Sequence, residues 1–309
     1  MIILSSTMKQ QNVFQVIIRP LVVVFLAAMS LTSYARQAES DSTVNVIAWF
    51  CNHDTIVYSQ REQVLAGMGK DTTVVSDITR RYHIAVVDST AKGFLMEYRP
   101  LSIQFSDSTG VENEIKLLMA RRLQGVVIRF STDEMGCVKQ IENYKDVRDA
   151  VYSKCDSMVS EIYAVNPLLY GKISKPDILK NIHKRLDDTY GSKQRLLEKM
   201  DALTLLFGNH GHFFEVGEHK SNDGATKSNV VVKRGKADAD DETASNEDYQ
   251  IATRVQVLQK DGKATDVILV TEYFSDGWPR HVYFSNEESD SQNFEISLIE
   301  IEWESLAWE

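Results

Sequence analysis

The order of its hydrophobic periods constrains this chain most. Two blocks of period-two alternation flank a middle block of helical period, and the period separates strand from helix. In the first block Tyr82, Ile84 and Val86 alternate with His83 and Ala85. Phe94, Met96 and Tyr98 then alternate through GFLMEYRP, and AGMGKDTT (66–73) reads as a turn between strands. In the last block Ile251, Thr253, Val255 and Val257 alternate up to Asp261-Gly262, a hairpin dipeptide. ATDVILVTEYF, the turn SDGWP and RHVYF follow, and the polar turn NEESDSQN leads into FEISLIEIEW. In that last segment Phe294, Ile296 and Leu298 share one face, while Ile299, Ile301 and Trp303 share the other. Either both faces are covered or a bulge shifts the phase.

The middle is helical. Tyr144, Val147, Val151, Cys155, Met158, Ile162 and Val165 recur at spacings of three and four and predict one amphipathic helix. Ser174 caps a second helix, which tolerates Pro176 in its first turn and buries Ile178, Ile182 and Leu186. Ser192 caps a third, with Leu196, Met200, Leu203 and Phe207 inward and Gly208 ending it. VENEIKLLMARRLQG (111–125) also reads as a helix closed by Gly125. Strands, helices, then strands predict an α+β fold, a curved antiparallel sheet with a layer of helices from the middle of the chain. The expected unit is a single domain over residues 44–309, the alternative being a split near 209.

Composition decides what this fold can be for. The chain has 309 residues, 43% hydrophobic and 25% charged, enough apolar surface for a core. LVVVFLAAMSLTSYA (21–35) follows Lys9 and Arg19, is shorter than the roughly 20 residues of a spanning helix, and ends in a small-x-small pattern. That is a secretory signal peptide over 1–35, with a polar leader at 36–43. The expected location is the periplasm or outside the cell, with no membrane span after cleavage. The net charge is -10, and cleavage removes only positive charges. Such a surface repels phosphate backbones, so nucleic acid is excluded as a partner.

Each motif has a bland reading that outweighs the chemical one. LLFGNHGHFFEVGEH (205–219) gathers three histidines. In a strand His210 and His212 would share a face, but Glu218 would stand about 20 Å further on, too far for one ion. His210 and His212 are therefore the only metal candidates here, and a turn leading into a strand is preferred. No HExxH, phosphate loop or Gly-x-Ser-x-Gly elbow occurs. DADDETASNED (238–248) lacks the sixth-position glycine of a calcium loop. Cys51 and His53 are close in sequence without triad geometry. Of the three cysteines, Cys155 sits on the helical stripe, and Cys51 with Cys137 is the better disulfide candidate. Trp278 and Tyr283, beside the SDGWP turn, are the expected ligand or partner contacts. No cofactor and no catalytic residue is identified.

Leu123, Gly125, Thr132, Asp133, Gly136, Asn143, Tyr144, Lys145, Val147 and Arg148 stand in LQGVVIRFSTDEMGCVKQIENYKDVRDAV. This block resembles a hairpin-then-helix unit in uncharacterised exported proteins of Bacteroidota, with Tyr144 where those have Trp. The resemblance covers about a tenth of the chain. It implies export and an α+β core, with Asn143 as the helix N-cap, and supplies no catalytic residues. The expected function is a non-catalytic envelope protein that binds an apolar ligand or an envelope partner. The alternative is a hydrolase of unrecognised type, metal-dependent through His210 and His212.

Overall fold

The computed structural model describes residues 42–306 apart from 69–70, 107–117, 119, 123, 166, 170, 173, 236–246, 260–262 and 291–292. The signal segment, the core of the 111–125 helix, the Asp261-Gly262 turn and most of the acidic run lie outside the described residues, as does the side chain of Cys155.

An eleven-stranded antiparallel sheet dominates. In chain order its strands are β2 (Thr55–Met68), β3 (Asp71–Thr90), β4 (Gly93–Phe105), β5 (Ile128–Thr132), β6 (Val138–Ile141), β8 (Gly217–Asn222), β9 (Thr226–Arg234), β10 (Tyr249–Leu258), β11 (Ala264–Tyr273), β12 (Pro279–Ser289) and β13 (Asn293–Leu306). They lie in the order β6-β5-β4-β3-β2-β13-β12-β11-β10-β9-β8. The pairing of β2 with β13 joins the first strand block to the last, across the helices. The sheet curves without closing and so keeps two edges, β6 and β8. A separate pair, β1 (Thr43–Asn45) and β7 (Phe213–Glu215), completes the strands.

The doubled phase of the last strand is real. Pairing between β12 and β13 runs without a shift from Phe294 to Glu302, so no bulge separates the two apolar sets. Ile299 and Ile301 face the core, and Phe294, Ile296 and Leu298 are half-buried on the other side. The strands also outrun their expected turns: β12 continues through the predicted NEESDSQN turn as far as Ser289.

The helices of the middle block are shorter and more broken than expected: α1 (Tyr144–Ser153), α2 (Cys155–Val165), α3 (Lys175–Tyr190), α4 (Lys193–Lys199) and α5 (Asp201–Phe207). Among the described residues, strand makes up 54% and helix 24%. The predicted 144–165 helix is interrupted at Lys154, yet Val147, Val151, Met158 and Ile162 are buried as its stripe requires. The predicted third helix divides at Met200. Ser174 and Ser192 do cap, accepting from Asp177 N (3.3 Å) and Arg195 N (3.1 Å). Gly208 stays right-handed at φ -64°, and the chain turns instead at Gly211, φ 78°.

Helix and sheet share one core. Tyr58, Tyr82, Ile84, Met96, Phe130, Val282 and Ile301 belong to the same buried cluster as Val151, Ile162, Ile182, Leu203 and Leu206. A second cluster seats Val44 and Phe214, from β1 and β7, on Val230, Val232, Ile251 and Tyr273. Register puts the sheet members of both clusters on one face, called the inner face below.

Candidate functional site

The histidine-rich stretch is a packing hub. His210 and His212 lie in the turn between α5 and β7, as the preferred reading has it, and not in a strand where they would share a face. His210 is only 1% exposed. Its ring packs against Phe207 (5.3 Å between centroids), Phe50 (5.8 Å) and Tyr273 (5.9 Å). Nε2 meets the Gly277 carbonyl at 3.1 Å, and Nδ1 is buried without a partner. Burial lowers the imidazole pKa to about 4, against smaller opposing influences from Gly277, Phe207 and Asp133. Glycine is required nearby: a Cβ on Gly136 would lie 2.5 Å from the His210 ring. His212 turns back onto the carbonyls of Asn209 and His210. The hydrolase reading through this pair therefore loses its geometry, because His210 is sealed among aromatic rings.

Trp278 is likewise buried at 2% exposure, stacked on Phe50 with 4.0 Å between centroids. It anchors the 274–278 turn and presents no contact surface, correcting the expectation of a rim tryptophan. Tyr283 is half-buried on the outer face of β12. Cys51 and Cys137 are both free thiols, so the expected disulfide is absent. Cys137 Sγ donates to the His210 carbonyl at 3.0 Å, and burial, with Asp133 adding, pushes its pKa to about 11. Residues 51–54 form a turn with His53 at φ 72°, so Cys51 and His53 do not share a strand face.

The resembling block folds as β5, turn, β6 and α1. Asp133 Oδ1 accepts from the N–H groups of Met135 (3.1 Å) and Cys137 (2.9 Å), and Gly136 takes the left-handed position at φ 97°. Asn143 stands at the helix N-cap, but its side chain makes no cap bond. Its Oδ1 accepts from Arg129 N (2.8 Å) and its Nδ2 donates to the Val127 carbonyl (2.9 Å), tying α1 to β5.

The site that motif reasoning missed lies on the inner face, where the central strands run past the helices. These strands have 14, 20, 13, 11 and 14 residues in β2, β3, β4, β12 and β13, about twice the usual length. Beyond Tyr58 and Tyr82 the inner face carries Gln60, Glu62 and Val64 on β2, Arg80 and Ile78 on β3, and Ile103 and Phe105 on β4. Val64, Ile78, Ile103 and Phe105 are half-buried. Glu62 receives both Arg80 Nη1 and Gln60 Nε2. A third of the Arg80 side chain stays open to solvent, yet burial is the leading influence on its guanidinium and lowers its pKa. Both observations fit a group enclosed by the curl of the sheet and reachable from its open end. Glu288, also on the inner face, has its pKa raised by burial first and by Glu295 second. On the outer face Arg61, Arg81 and Arg254 respond chiefly to their own carboxylate partners. The inner face is thus the less solvated one. One groove lies on the outer sheet face and another beside α3.

No family model matches the chain, and no curated protein does. Among solved structures, lipovitellin, studied for its lipid–protein interactions, aligns over 84% of this chain at 9% identity with a TM-score of 0.41. The chain spans only 26% of it. A domain assigned to outer membrane lipoprotein sorting in Vibrio parahaemolyticus aligns over 81% of this chain and 84% of its own, at 8% identity and a TM-score of 0.22. DynF of Micromonospora chersina aligns over 89% and 94%, at 6% identity and 0.20. These likenesses are too weak to carry a conclusion about this chain.

Proposed function

We propose that this is an exported, non-catalytic protein that binds an apolar chain on the open half of its inner sheet face. One observation carries the reading. The central strands continue past the helix-packed core, and the inner face there is lined by half-buried Val64, Ile78, Ile103 and Phe105. Long strands with apolar side chains on a partly desolvated face form a surface that gains from covering. The Arg80–Glu62 pair stands at the inner end of this surface, between it and the tyrosine-lined core, where the polar end of a bound amphiphile would find both a donor and an acceptor. Among the described residues, no helix is long and apolar enough to cross a membrane.

Native mass spectrometry on protein purified from the envelope fraction tests this. An added mass of several hundred daltons is expected, lost in Ile78→Glu and in Ile103→Glu while the thermal midpoint holds. A bare polypeptide mass, together with no binding of a fluorescent fatty-acyl probe, would overturn the proposal.

A further inference from the structure

We propose that His281, Glu300 and Glu302 form a binding site for a divalent transition-metal cation on the outer face of the sheet. The site is independent of the inner-face ligand. Strand pairing sets His281 of β12 directly opposite Glu302 of β13, and Glu300 lies two residues along on the same face. Neighbouring strands hold opposed Cβ atoms about 5 Å apart, so the backbone itself delivers three donors to one place. One ligand atom from each of the three lies within 4.8 Å of the others. His281 Nε2 and Glu300 Oε1 are already 3.3 Å apart. Donors at about 2.1 Å from zinc stand roughly 3.4 Å from one another, so side-chain rotation of about 1 Å completes the set.

The donors choose the class of ion. One imidazole with two carboxylates suits zinc or manganese, whereas magnesium and calcium take all-oxygen shells. The surroundings favour a cation. Arg61 stands opposite Glu300 but is held by Asp77, and Arg81 is held by Glu304, each at 2.6 Å, so Glu300 is only a minor influence on Arg61. The same two glutamates also line a groove of about 430 Å³, bounded by Ser59, Arg61, Asp77, Thr79 and Ser106. A cation held by three protein donors would turn its remaining positions toward that groove, where water or a substrate oxygen can enter.

The test is calorimetric titration of metal-free, untagged mature protein with zinc and with manganese, using magnesium as a control. One transition-metal ion per chain is expected, with affinity falling about tenfold or more in His281→Asn and Glu300→Gln. All three side chains are at the surface, so the metal-free thermal midpoints of the variants should match the parent. Manganese should also broaden the His281 imidazole resonances ahead of those of the other histidines, a readout that needs no variant. Unchanged affinity in His281→Asn, magnesium binding as tightly as zinc, or broadening centred on another histidine would overturn the site.

Discussion

A histidine surrounded by Phe50, Phe207 and Tyr273 gives up its charge, because burial disfavours the protonated ring. The His210 pKa of about 4 lies below the 6.5 of an ordinary imidazole. The unfolded chain therefore binds the proton more readily. Stability from the neutral ring is complete above pH 6.5 and is lost as the pH falls through 6.5 towards 4. A shift of this size is worth about 3 kcal/mol. Carboxylates titrate in the same window, so the informative quantity is the stability gap between the parent and His210→Gln. Urea unfolding should show that gap shrinking between pH 7 and pH 4.5, and a constant gap would refute the assignment. Gly136→Ala attacks the same hub without touching charge. It demands φ 97° of an alanine and drives a Cβ into the imidazole, so a loss of at least about 2 kcal/mol is expected in the same assay.

At the scale of elements, local signals were reliable where the physics is local. Ser192→Ala should cost about 1 kcal/mol, the usual value of an N-cap. Asn143→Ala should cost more, about 2 kcal/mol, since it removes two bonds that bind α1 to β5. Chemical denaturation of the two variants side by side ranks them, and equal losses would mean that Asn143 acts only as a helix cap. The difference shows what the sequence disclosed. Cap identity, the helical stripes and the alternation of β3, β10 and β13 were legible because each depends on neighbours within a few residues. The length of β12, the destination of the Asn143 side chain and the burial of Trp278 depend on partners far away in the chain. Trp278 stacks on Phe50, and no periodicity around residue 278 could announce a residue 228 positions earlier. His281, Glu300 and Glu302 were invisible for the same reason: strand register, not spacing, brings them together.

Across the whole molecule, one curved sheet gives two similar arginine–carboxylate pairs different values. On the outer face Arg254 meets Asp266 at 2.5 Å with 53% of its side chain exposed. Water screens such a pair, and it is worth little. On the inner face Arg80 and Glu62 have given up more hydration, as the burial-lowered Arg80 pKa shows. Breaking that pair strands Glu62 on the less solvated face, while Gln60 supplies only one neutral hydrogen bond. Arg254→Ala should therefore change stability by less than about 1 kcal/mol, and high salt should erase even that. Arg80→Ala should cost about 2 kcal/mol, discounted for the open third of its side chain, and should persist in high salt. Arg80→Met combined with Glu62→Gln should recover most of the loss, because the stranded charge is then gone. Urea midpoints at low and high salt for these variants decide the matter. If both arginines prove equally dispensable, the two faces of the sheet are equally solvated, and the inner face is no shelter for an apolar chain.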